Sequence, residues 1–270
     1  MSFVKHASSP RAAQWEAAGL DWLRAAGGAT VVEIVAIEQE TLALQRLRSA
    51  SPTPAAAEAF GRALAATHAA GASAYGVGPD GWDGDGFQGP ADDMLPLPLR
   101  PYESWGAMYA DLRLAPLLEP RVECRRSEAG EAYRDQRGDG VRVSRLAPLA
   151  ELAEPVLRRL RDGEFDGSCP APARLHGDLW SGNVMWTADG AVLIDPAAHG
   201  GHPESDLAAL ALFGAPQLER LLASYLEAAP LADGWRDRVP LMQLHLVLLH
   251  AVLFGGGYVD HARAILRRYA

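Results

Sequence analysis

Cysteine is nearly absent. Cys124 and Cys169 stand far apart with no CxxC spacing, which argues against a disulfide framework or zinc site and makes a reducing cytoplasm the expected location. Positive charge is in deficit as well. Lys and Arg number 25 against 34 Asp and Glu, a formal charge of −9. The few basic clusters, Arg125 with Arg126 and Arg158 and Arg159 with Arg161, sit among acids and read as solvated helix faces. A nucleic-acid surface needs clustered cations to release counterions from phosphates, so no such partner is expected. Long hydrophobic runs are also missing. The opening MSFVKHASSP lacks the apolar core of a signal peptide. The longest apolar stretch, 241–254, is interrupted by His245 and His250 and reads as a buried helix too short for a bilayer. No membrane partner is expected.

What is present is a chain of 270 residues, 49% hydrophobic, enough for one large domain or a two-lobed one. A short strand at 3–5 leads to Pro10, which opens a helical pattern to residue 26 with Trp15, Leu20 and Leu23 on its apolar face. Gly27 and Gly28 stop it. Two β-rich runs, 31–37 and 41–47, are separated by a polar turn and suggest a hairpin. A linker with two prolines follows at 49–54, then a helix at 55–70. This pattern predicts a small first unit at 1–48 and a larger, mainly helical remainder at 49–270, an α+β fold. Residues 75–101, rich in Gly, Pro and Asp, read as a long loop of the functional or disordered kind. Helical patterns return at 102–118, 147–161 and from 208 onward.

The chemistry concentrates in 173–210, ARLHGDLWSGNVMWTADGAVLIDPAAHGGHPESDLAAL. Two apolar runs, 184–186 and 191–194, are joined by Thr187-Ala188-Asp189-Gly190, and the Asp-Gly pair is a strong hairpin signal. The residues flanking the two strands share the open end of a hairpin. Those residues are Asn183 and Asp195, an amide oxygen and a carboxylate that suit a hard divalent cation. Asp178, five residues before Asn183, belongs to a loop at the same end. Each residue alone in such a Gly-rich stretch is an ordinary turn-former. The ordered set is the minimum for phosphoryl transfer: a metal-binding pair and a spare carboxylate for the acceptor hydroxyl. The spacing of Asp178 and Asn183 equals that of Asp and Asn in the kinase loop HRDxxxxN, with Asp195 in the place of the metal-binding Asp of DFG.

HGDLWSGN followed by a strand, IDPA and GHPESDLA resembles the fructosamine (ketosamine) kinase family, one of the protein-kinase-like phosphotransferases that also include aminoglycoside and choline kinases. HGDxxxxN is common to that superfamily, and Trp180, Ser181 and GHPESDLA narrow it. GWDGDGFQGP and the later W-x-x-M-Y-A-D-L-R-L are similar to the family's lobe-spanning region, and the resemblance runs from Phe3 to the C-terminus. It implies a two-lobed, protein-kinase-like α+β fold and an ATP- and Mg²⁺-dependent kinase. Asp178 would be the catalytic base in a loop at 176–183, and Asn183 and Asp195 the Mg²⁺ ligands. Lys5 would hold the α- and β-phosphates, with Glu16 as its ion-pair partner. His176 and Asp206 would support the loop. Trp180 would offer a flat face to a sugar, and His202 is a further candidate for substrate contact. The implied acceptor is a hydroxyl of a fructosamine or ribulosamine, on a small amine or a protein lysine. The alternatives are another small hydroxyl compound, aminoglycoside- or choline-like, or a non-catalytic nucleotide-binding protein. The last reading arises because family members carry two strands and a glycine-rich turn before that lysine, so a shortened first lobe is expected. Asp80, Asp83, Asp85, Asp92 and Asp93 are candidates for attracting a cationic amine-sugar, against the plainer reading of a solvated loop.

Overall fold

The structure is a computed structural model that describes residues 2–119, 146–168 and 171–270. Cys124, Cys169, Arg125 and Arg126 lie outside the described residues. The small sheet comes first. After β1 (Ser2–His6), Pro10 starts α1 (Pro10–Ala25), where Ser9 Oγ accepts the Ala12 N–H at 3.1 Å, a cap worth about 1 kcal/mol. A hairpin of β2 (Ile34–Glu38) and β3 (Thr41–Gln45) follows, and the sheet order is β1-β3-β2, all antiparallel. Lys5 is paired with Leu42 and Phe3 with Leu44. Directly paired residues share a face, so Lys5 points the same way as the buried Leu42 and Leu44, toward α1.

Thr53 caps α2 (Pro54–Ala69). The region 75–101, expected as a loop, contains a two-stranded ribbon, β4 (Gly86–Gln88) with β5 (Leu95–Leu97). Its three-residue strands are too short to give a periodic pattern. A continuous helical run then comprises α3 (Trp105–Met108), a π-wound segment (Tyr109–Leu114) and α4 (Ala115–Leu118). After α5 (Ala147–Arg161) come β6 (Ala173–Leu175), the hairpin β7 (Val184–Thr187) and β8 (Gly190–Leu193), and β9 (His199–Gly201), which pairs with β6. In the β7–β8 turn, Thr187 pairs with Gly190, so the two linking residues are Ala188 and Asp189 rather than the Asp-Gly pair the sequence suggested. Four helices complete the fold: α6 (Pro203–Leu212), α7 (Leu218–Ala228), α8 (Trp235–Phe254) and α9 (Gly257–Tyr269).

One apolar core gathers α3, the π-wound segment, α5, α8 and α9; a second joins α1, β3 and α2 to the β7–β8 hairpin and α7. Backbone bonds reinforce the second: Val32 N–H donates to Leu193 O at 3.0 Å, and Leu193 N–H to Thr30 O at 2.8 Å. The apolar stretch expected to be too short for a bilayer lies within α8, which has 20 residues and a mean hydropathy of 1.2, long and apolar enough by length and composition. Here Leu241–Leu249 are buried in the core. The two interrupting histidines mark this use: His245 is buried, and His250 Nδ1 bonds the Leu246 carbonyl within the helix.

Candidate active site

Lys5 Nζ donates to Glu16 Oε2 and to Asp195 Oδ1, each at 2.8 Å. Strand β1, helix α1 and the segment after β8 therefore meet at one ammonium group. Burial disfavours the Lys5 charge, but the two carboxylates outweigh it and raise the pKa. One ammonium cannot neutralise both acids. Glu16, the more buried, is raised to about 7, by burial first and by the charge of Asp195 as well. Its Oε1 has no hydrogen-bond partner.

Asp195 follows β8 with φ +53°, a left-handed conformation that Asp tolerates better than most side chains. Its carboxylate thereby leaves the strand direction and enters the cleft. Across the open end of the hairpin, Ile194 N–H donates to Asn183 O at 3.1 Å. Asn183 Nδ2 donates to the Asp178 backbone carbonyl at 2.8 Å and to its carboxylate Oδ2 at 3.0 Å, with a longer contact of 3.4 Å to the Asp195 carbonyl. Asp178 is raised to about 6, chiefly by burial, opposed by the Asn183 bond and reinforced by Asp195 and Asp206.

The loop 176–183 is fixed from below. His176 Nε2 bonds the Ile194 carbonyl at 2.8 Å, so that nitrogen carries the proton and Nδ1 is free to accept the Asp178 N–H at 3.3 Å. Asp206, in the first turn of α6, accepts the N–H groups of His176 and Gly177 at 2.8 and 3.0 Å. His68 Nε2 lies 3.2 Å from the same carboxylate, and its Nδ1 reaches Tyr225 at 2.8 Å. Burial alone would raise the Asp206 pKa, but these partners hold it below the usual range. Gly177 has φ +81°, and a Cβ there would meet the Ala197 carbonyl at 2.1 Å. Only glycine fits.

These groups line one cleft of about 410 Å³, which contains Lys5, Glu16, Asp178, Trp180, Asn183 and Asp195, a volume in the usual range for small-molecule sites. Its far wall is apolar and was not anticipated from the sequence. It comprises Phe87 to Ala91 and Met94 of the ribbon, together with Leu249, His250, Leu253 and Phe254 of α8. Trp180, 39% exposed, stands edge-on to Phe213, and the ring series continues through His250 to Phe254 and Tyr258. The ribbon's signal was the GWDGDGFQGP segment, noted for its similarity to the family's lobe-spanning region and for the acids around it rather than for its apolar members. None of Asp80, Asp83, Asp85, Asp92 and Asp93 lines the cleft; Asp85 Oδ1 instead accepts the Leu99 N–H.

His202, a further candidate for substrate contact, does not line this cleft. It is fully buried, caps α6 through Nδ1, bonds Ser168 Oγ through Nε2 and packs edge-on against Trp105. A histidine between Gly201 and Pro203 is hard to distinguish by spacing from a ligand-binding one.

Among the described residues no group of three His, Cys, Asp or Glu forms a metal cage. A magnesium ion does not need one, because it keeps waters and phosphate oxygens and takes one or two protein ligands. The donors present fit that ion. Asn183 uses its Nδ2 for hydrogen bonds, which leaves Oδ1 as a neutral oxygen donor, and Lys5 occupies only Oδ1 of Asp195.

Small antiparallel sheet, helical remainder and the cleft between them place the chain in the protein-kinase-like fold class. Within that class the chain belongs to the fructosamine kinase family, whose sequence profile matches residues 2–270. It is similar to a Thermus thermophilus protein named a probable ketoamine kinase, 31% identical over 245 residues, 90% of this chain and 77% of that one. An Enterococcus faecium protein of the same name is 41% identical over 128 residues, 47% of this chain, and that match spans only 44% of its length. Among solved structures, one from Thermobifida fusca with a provisional fructosamine-3-kinase name superimposes with a TM-score of 0.74 at 44% identity, covering 94% of this chain and 80% of that one. The choline kinase LicA from Streptococcus pneumoniae, at 16% identity and a TM-score of 0.59 over 99% of this chain and 86% of its own, shares the fold.

Proposed function

We propose that the protein is an ATP- and Mg²⁺-dependent kinase for a hydroxyl of a ketosamine, a fructosamine or ribulosamine that is free or attached to a protein lysine. The observation that carries this reading is Lys5, held at 2.8 Å from both Glu16 and Asp195 on one side of a cleft whose other side presents Asp178 and Asn183. Lys5 orients the α- and β-phosphates. Asn183 Oδ1 and the Asp195 carboxylate would hold Mg²⁺, which would supply charge neutralisation to the phosphate oxygens. Asp178 accepts the proton of the acceptor hydroxyl as that oxygen bonds the γ-phosphorus and the bond to the β-phosphate oxygen breaks, releasing ADP. Burial supports this role, because it makes Asp178 a stronger base than an ordinary carboxylate. The exposed ring of Trp180 and the apolar wall form the acceptor side. A cytoplasmic location accords with a substrate pool of metabolites and glycated proteins.

The test is ATP consumption with fructosyl-lysine and ribulosyl-lysine, comparing the native protein with Asp178→Asn. Turnover of either compound, lost by at least about 100-fold in the variant while Mg-ATP binding persists, is expected. If the native protein turns over another alcohol and neither ketosamine, the acceptor assignment fails. Unchanged turnover in Asp178→Asn removes the base.

A further inference from the structure

Outside the small sheet, the large hydrophobic side chains left exposed among the described residues are Trp180 and Phe254, at 39% and 58%, and both line the cleft. They belong to one ring series. Trp180 meets Phe213 with centroids 5.8 Å apart, and Phe213 meets His250 at 5.1 Å. His250 in turn meets Phe254 at 5.5 Å and Tyr258 at 5.1 Å. The chain path sets this up. Helix α8 stops at Gly255, whose φ of +67° and ψ of −141° lie in a region that glycine alone enters readily, and the turn brings Tyr258 of α9 back against Phe254. Rings that brace one another in this way form a platform ordered before any ligand arrives.

The platform carries no charge. The charged side chains of the cleft, Lys5, Glu16, Asp178 and Asp195, come from β1, α1, the loop before the hairpin and the residue after it; the ribbon and α8 contribute none. Gln88 on the ribbon donates its amide N–H to Pro96 O at 3.1 Å. His250 donates its Nδ1 proton to Leu246 O at 2.8 Å, and burial holds its pKa below the ordinary value, so it lines the cleft as a neutral ring. A hydrophobic surface left open to water beside a polar site marks where an apolar group binds. Trp180 lies two residues along the chain from Asp178, so the platform starts beside the group that takes the acceptor's proton. A ketosamine has two ends: the sugar, whose hydroxyl must reach Asp178, and the group carried by the nitrogen. In free lysine that second end holds an ammonium and a carboxylate. Neither finds a partner on this wall, and both would lose hydration without compensation. An aromatic or branched aliphatic group gains by leaving water there.

We propose that the cleft selects ketosamines of hydrophobic amines, the platform from Trp180 to Phe254 receiving an aromatic or branched aliphatic group on the ketosamine nitrogen in preference to the charged end of free lysine. The assignment rests on the protein being a ketosamine kinase and narrows its acceptor.

Steady-state turnover with Mg-ATP tests it, using the fructosyl and ribulosyl derivatives of phenethylamine and, through the ε-amine, of free lysine. kcat/KM for a phenethylamine compound is expected to exceed that of its lysine counterpart by about 10-fold or more, the effect of burying one aromatic group. In Phe254→Ala this preference should shrink by about 2–10-fold, through KM for the phenethylamine compound. Equal efficiencies, or a preference for lysine, would leave the protein a ketosamine kinase and overturn the role of the platform. An unaltered preference in Phe254→Ala would overturn it as well. Absence of turnover with all of these compounds, while another alcohol is phosphorylated, would remove the ketosamine acceptor itself and the narrower assignment with it.

Discussion

Asp206 Oδ2 accepts the backbone N–H of His176 at 2.8 Å, so that the start of α6 and the loop carrying Asp178 are joined by a buried carboxylate rather than by packing alone. The same carboxylate holds Gly177 and faces His68 of α2. Three parts of the chain depend on one side chain.

Asp206→Ala therefore leaves two loop donors and a buried histidine without their acceptor. The expected loss is about 3 kcal/mol or more of unfolding free energy, read from urea denaturation. Turnover should fall further than the folded fraction does, since the loop is no longer fixed. A variant as stable as the native protein would remove Asp206 from the loop's support.

The glycines differ in a way that a pair of alanine variants can measure. Gly177 combines φ +81° with a Cβ position 2.1 Å from the Ala197 carbonyl, whereas Gly190 has φ +125° and open space around it. Gly177→Ala should cost about 3 kcal/mol or more, and Gly190→Ala only the backbone strain of about 1–2 kcal/mol. Thermal unfolding of the two variants side by side checks the order.

Burial pushes the His202 pKa down to about 3, with Arg238 adding to the effect, from an ordinary 6.5. Between these values the unfolded chain binds a proton that the folded protein refuses. Stability from this residue is thus complete above about pH 6.5 and is lost as pH falls toward 3. At pH 5 the loss is roughly 2 kcal/mol. His202→Asn keeps an acceptor for the Glu204 N–H and removes the titration, so its stability should fall less between pH 7 and 5 than that of the native protein. Parallel pH curves for the two would refute this account.

Phe254 is 58% exposed at the end of α8 and lines the apolar wall. Phe254→Ala should raise KM for the acceptor about 2–10-fold, the range of an aromatic contact, and leave KM for ATP and Tm nearly unchanged. A shift in the ATP value instead would assign the wall to the nucleotide side.

Much of this was legible in the sequence, and the reasons are local. Pro10 marks the start of α1, α2 begins at Pro54, one residue before the expected 55–70 and inside the expected linker, and α5 runs over 147–161 as its pattern predicted. The β7–β8 hairpin was readable because tight turns have strict backbone requirements, although the pairing places Gly190 in the strand rather than in the link. Lys5 and Glu16 were named from family resemblance, and nothing in their immediate surroundings distinguishes them from surface residues. What was not legible depends on tertiary context. The ribbon β4–β5 exists through its pairing and its packing near Trp15, whose indole N–H donates to Phe87 O at 2.9 Å. The π-wound turn leaves no spacing signature, and the partnership of His68 with Asp206 joins residues 138 positions apart.

The second apolar core holds Leu20 and Leu23 of α1 and Leu42 and Leu44 of β3 in the same cluster as Leu207, Leu221 and Tyr225. Opening a gap between the small sheet and the helices would expose this cluster to water on both sides, as well as break the backbone ties at Thr30 and Val32. The protein is thus organised to melt as one cooperative unit. The β2–β3 hairpin has no core of its own to lose, while β1 at the sheet edge, with Phe3 and Val4 exposed, is held by its pairing with β3 and by the Lys5 ion pairs.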